Sequence, residues 1–136
     1  MKAWGLLAAT IVVASALVTT VGAKMQAQPY SGSGDYQAYC TSCHGADARG
    51  DGVIAKSLKK RPADLSQLTR RNNGIFPEAK IFKTIDGRMP GSAHSDSDMP
   101  AWGDVFAKSQ ESAGPENAAA RINSLVKYLE TLQVKE

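Results

Sequence analysis

Several features are scarce or missing in this 136-residue chain, and each absence narrows what it can be. Only two cysteines occur, Cys40 and Cys43, and only two histidines, His44 and His94. A structural zinc site normally needs four ligands, and here it would need His44 alongside its neighbour Cys43 in a strained arrangement. No stretch alternates apolar and polar residues in the manner of a half-buried strand, and no internal repeat is present. Net charge is also small: of the 16 basic residues only Lys2 lies before Lys24, so the chain beyond residue 23 is close to neutral with 13 acidic residues. That removes the main driving force for nucleic-acid binding.

What is there begins with an apolar stretch. Between Lys2 and Lys24 the residues are rich in Ala, Val, Leu and Thr, ending in the small residues Val21-Gly22-Ala23. A cationic start, an apolar run and a small-residue site are expected of a secretory signal over 1–23 cleaved after Ala23. The alternative is an uncleaved membrane anchor, since about 20 apolar residues also span a bilayer. Either route places the remainder outside the cytoplasm, in the periplasm. Residues 24–34, with Pro29, Gly32 and Gly34, read as a flexible lead-in, and 35–136 as one domain. At 43% apolar and 21% charged residues the composition is that of a globular protein.

Within the domain the periodicities are helical. Asp35 is a candidate cap for a helix from Tyr36 to about Cys43, and Asp64 for a short helix from Leu65 to about Arg70 that Asn72-Asn73-Gly74 ends. Pro77 and Glu78 open a helix whose Ile81, Phe82 and Ile85 share one side before Gly87 stops it. From Arg88 to Pro100 the sequence is loop-like. The strongest signal is the last helix, from Pro115 to about Gln133, where Ile122, Leu125, Val126, Leu129 and Leu132 recur at steps of three and four. The fold class expected is all-α, with short helices and long loops. So much loop in a little over 100 residues calls for a large apolar prosthetic group at the centre of the core.

Cys40-Thr41-Ser42-Cys43-His44 indicates which group. A redox dithiol would sit at a helix start after a strand, and no strand precedes Tyr36. A covalent c-type haem uses all three residues: the thiols add to the two vinyl groups along one edge of the macrocycle, and His44 coordinates the iron. The charge pattern is lopsided as well. Six basic residues lie between Lys56 and Arg71 against Asp64 alone, whereas seven acidic and four basic residues lie between Asp96 and Glu136. Such asymmetry can orient a charged partner protein.

At this point the chain resembles the small class I c-type cytochromes of bacteria. The resemblance rests on Tyr39-Cys40-Thr41-Ser42-Cys43-His44-Gly45, Gly50-Asp51-Gly52, Arg61-Pro62-Ala63-Asp64-Leu65, Ile85-Asp86-Gly87-Arg88 and Asp98-Met99-Pro100-Ala101-Trp102-Gly103, and spans about Tyr36 to Leu132. It implies a cytochrome c fold around one haem c with its iron held by His44 and a second axial ligand.

For that ligand, Met25 lies too early in the chain, which leaves Met89, His94 and Met99. Met99 is favoured because Pro100 holds it extended in a loop able to pass over the second haem face, with Trp102 near the haem edge; the resemblance implies the same residue. Met89 and His94 stand as the alternatives. The resemblance further implies that the Pro62 carbonyl accepts a hydrogen bond from the other ring nitrogen of His44, and it makes Arg61, Arg88 and Trp102 candidates to hold the haem propionates. Lys56, Lys59 and Lys60 are candidates to guide acidic partners.

His/Met ligation favours ferrous iron and raises the potential above that of a bis-histidine haem. The expected function is therefore a periplasmic single-electron carrier rather than an enzyme, working between a dehydrogenase or respiratory complex and a terminal oxidase or reductase. The alternatives are a dedicated cytochrome subunit of a membrane or periplasmic oxidoreductase and, from a different class, a haem sensor or peroxidase with an open iron.

Overall fold

In the computed structural model the described residues are 30–88, 98–109 and 115–134. The segment 1–23, Met89 and His94 lie outside them. Among the described residues there are six α-helices and no strand: α1 Gly32–Tyr39, α2 Thr41–His44, α3 Leu68–Arg71, α4 Glu78–Asp86, α5 Trp102–Lys108 and α6 Pro115–Thr131. Two short 3-10 turns, Ala55–Ser57 and Leu65–Gln67, interrupt the connections. The all-α expectation holds, and no helix among the described residues is long and apolar enough to cross a membrane.

Helix α1 starts earlier than expected. Its cap is Ser31, whose hydroxyl accepts the Gly34 N–H at 3.2 Å, so residues 32–34, expected in the flexible lead-in, form the first turn. Gly32 is required there: a Cβ would collide with the Ser124 carbonyl of α6. The absent side chain lets α1 cross α6 at close range, and the crossing is sealed by Tyr36 against Tyr128 with ring centroids 5.5 Å apart. Asp35 is therefore not the cap. It is buried one turn inside and bound in bidentate fashion by Arg121 of α6, Nε to Oδ2 at 2.8 Å and Nη2 to Oδ1 at 2.7 Å. The guanidinium also lies 4.3 Å from the Phe106 ring centroid and 5.2 Å from that of Tyr39.

The remaining helices dock on α6. Its buried stripe of Ala118, Ile122, Leu125, Val126 and Leu129 meets Ile81 and Ile85 of α4 and Phe106 of α5. Burial of each Ile or Leu here contributes on the order of 1.5–3 kcal/mol. The Asp64 cap is present as expected, its Oδ1 accepting from Ser66 N–H at 3.0 Å and Ser66 hydroxyl at 2.6 Å. Gly87, at φ 67°, closes α4 through its N–H to the Lys83 carbonyl. Beyond α6, Gln133 accepts the Thr69 N–H and donates to the Leu65 carbonyl, tying the end of the described chain to the Leu65–Arg71 arm.

Candidate functional site

The Cys-x-x-Cys-His residues lie where α1 breaks into α2. Cys40 ends α1, and its carbonyl accepts from both Cys43 N–H at 3.2 Å and His44 N–H at 2.8 Å. This tight turn sets two free, partly exposed thiols and an imidazole at positions 40, 43 and 44 of one short segment. Burial pushes the Cys40 thiol up to about 12, with the nearby Asp35 and Cys43 adding to it.

His44 is held more firmly, at 9% exposure. Its Nδ1 lies 3.0 Å from the Ala63 carbonyl oxygen. A carbonyl can only accept, so Nδ1 carries the proton and Nε2 keeps its lone pair for a metal. Burial lowers the pKa of His44, and the bond to Ala63 only partly opposes this, which favours the neutral ring. The donor set fits a c-type haem: two thiols for attachment and one oriented, neutral imidazole.

The acceptor corrects the expectation for Pro62. The Pro62 carbonyl instead lies against Gly50, where a Cβ would collide with it. Gly50, at φ 74°, in turn donates its N–H to the His44 carbonyl at 2.8 Å. The arm 61–65 is thereby laid alongside the haem motif one residue out of the expected phase, helped by Leu65 N–H to the Ala48 carbonyl at 2.7 Å. A further residue went unnoticed in the sequence: Tyr36 donates its buried hydroxyl to the Gly45 carbonyl at 2.8 Å, fixing the exit from the motif. Burial is the main cause that raises its pKa.

Met99 is half-buried against the same core as Cys40 and Trp102. Two contacts fix its segment, one on Lys59 and one beside the motif. Asp98 accepts the Lys59 N–H at 2.6 Å, and the Trp102 ring, at the start of α5, lies 5.3 Å from that of Tyr39, the residue before Cys40. Phe106 completes this aromatic group at 5.5 Å from Trp102 and 5.6 Å from Tyr39.

The arginines separate. Arg88 binds Asp86 through Nε at 2.9 Å and Nη2 at 2.6 Å, a pair packed so closely on α5 that a Cβ at Gly103 would strike it. Its role here is to join the end of α4 to α5. Arg61 is exposed and lines a shallow recess of about 420 Å³ together with Arg49, Pro62, Ala63, Asp64 and Arg71. Lys56, Lys59 and Lys60 are all exposed. Among the described residues no three His, Cys, Asp or Glu side chains gather as metal ligands.

A family model described as cytochrome C oxidase, cbb3-type, subunit III matches residues 27–113. No curated protein and no solved structure matches the chain.

Proposed function

The chain belongs to this c-type cytochrome family, and from that premise we propose that it is an exported single-electron carrier with one haem c bound through Cys40 and Cys43 and ligated by His44 and Met99. The haem would supply a metal centre that cycles between ferric and ferrous states. The protein's part is to attach, orient and enclose it. Ala63 fixes the tautomer and direction of the His44 ring, the Asp98–Lys59 bond and the Trp102–Tyr39 contact keep Met99 near the motif, and Pro100 limits its freedom. With His44 and Met99 both holding the iron, no position would be left for substrate, which favours electron transfer over peroxide or gas chemistry. Export through residues 1–23 gives the thiols access to attachment outside the cytoplasm.

The observation that carries this reading is the neutral, oriented His44 beside two unpaired thiols, with Met99 drawn to the same part of the molecule. The test is the absorption of the oxidised holoprotein. The weak long-wavelength band of methionine bound to ferric iron is expected in the wild type and in Met89→Ala, and should vanish in Met99→Ala. A band lost in Met89→Ala and kept in Met99→Ala would overturn the axial assignment.

The family description supports a second reading, a cytochrome subunit held by one respiratory oxidase rather than a mobile carrier. Stable co-purification of the native protein with an oxidase through size exclusion would decide for the subunit, and recovery as a free small protein for the carrier.

A further inference from the structure

Three arginines and one acid line one recess, so basic residues exceed acidic ones there by two. Arg49, Arg61 and Arg71 share its lining with Pro62, Ala63 and Asp64. Among the described residues no salt bridge involves any of the three. The one acid in the wall, Asp64, already spends its Oδ1 on the two Ser66 donors. Its backbone carbonyl accepts from Arg71 Nη1 at 3.3 Å, so that guanidinium is steadied at the rim by a neutral partner that leaves its charge uncompensated. Like charges gathered in this way repel in the free protein and are relieved by a bound anion. The planar fork of donors on arginine suits oxygens in pairs, as carboxylate or phosphate presents them.

From this convergence we propose that the recess is a binding site for a small free oxyanion of the phosphate class. Its lining also serves His44: the Ala63 that lines the recess is the residue whose carbonyl holds His44 Nδ1. An anion held there would stabilise the more positive, ferric state of a haem ligated by His44 and lower its reduction potential. An anion would thus tune the carrier through the segment that orients its proximal ligand. The potential effect rests on the haem reading above; the binding itself does not.

The test is calorimetric titration of the holoprotein with inorganic phosphate, against sodium chloride at matched ionic strength, followed by potentiometry with and without phosphate. Saturable phosphate binding is expected. It should weaken by at least about tenfold in Arg71→Gln and in Arg49→Gln, as loss of one charge-assisted hydrogen bond implies. Arg70→Gln, on the same helix but outside the recess, should bind as the wild type does. The potential should fall on adding phosphate to the wild type, and Arg71→Gln should need at least about tenfold more phosphate for the same fall. Absence of phosphate binding beyond the chloride control overturns the proposal, as it would if a haem carboxylate already held these arginines. Equal weakening in Arg70→Gln also overturns it, by reducing the effect to general surface charge. Failure of the Met99 assignment would appear in the absorption band and leave the calorimetry untouched.

Discussion

The half of the molecule made by α1, α5 and α6 and the arm from Gly45 to Gly74 are held in different ways. The helical half is closed by side chains: Tyr36, Phe106, Ile122 and Leu125 are fully buried, and Asp35 and Arg121 pair among aromatic rings. The arm is laid down by backbone bonds, Gly50 N–H to His44, Gly52 N–H to Cys43, Ile54 N–H to Ser42 and Leu65 N–H to Ala48. Its apolar residues Val53 and Ile54 remain 92% and 42% exposed. The first region is a scaffold whose stability comes from packing; the second is a fitting whose shape comes from where single amides and carbonyls point. His44 belongs to both, which is why a stable helix pair can present an imidazole that a loop orients.

This contrast can be broken by substitution, most severely at the buried pair. Arg121→Met leaves the Asp35 carboxylate buried beside aromatic rings and should cost about 3–5 kcal/mol, read by urea denaturation of the holoprotein. Replacing Asp35 by Leu in the same variant should recover most of that loss, because no lone charge is then left. In the arm, Gly50→Ala meets a positive φ and the Pro62 carbonyl together and should cost about 2 kcal/mol. Unlike the first change it should also alter the haem spectrum, since Gly50 is bonded to His44. Tyr36→Phe removes the single side-chain bond from the scaffold to the motif exit and should cost about 1 kcal/mol, with a small spectral change. Lys127→Ala deletes the exposed bridge to Glu78 and should leave the denaturation midpoint unchanged, as surface pairs usually do. If Lys127→Ala proved as damaging as Arg121→Met, burial would not be what separates the two pairs.

The same contrast explains what could be read from the sequence. The stripe of α6 was legible because 17 residues give several turns in which the spacing repeats, and the haem motif because its chemistry is local. Helix α5 was not. It has seven residues, glycine second, and only Gly103 and Phe106 buried, too short a segment for a period to show. The first turn of α1 resembled a linker because Gly32 and Gly34 are common in linkers; the reason for Gly32 is the Ser124 carbonyl, 92 positions away. Asp35 looked like a cap because an acid ahead of an apolar segment usually is one, and nothing local announces Arg121 as its partner. The choice of Ala63 over Pro62 as the partner of His44 depends on how the arm is phased against Gly50, a matter of three-dimensional course that adjacent residues in a sequence do not distinguish.

The close crossing at Gly32 has a consequence in time. The segment carrying the thiols is synthesised before its docking surface on α6, and the Asp35–Arg121 contact must close 86 residues of chain, at an entropic cost on the order of 4 kcal/mol. That closure waits until α6 has emerged. Cys40 and Cys43 are therefore reachable in an open chain for as long as the last helix is missing. For the haem attachment proposed above, the order of the sequence leaves both thiols open until α6 docks.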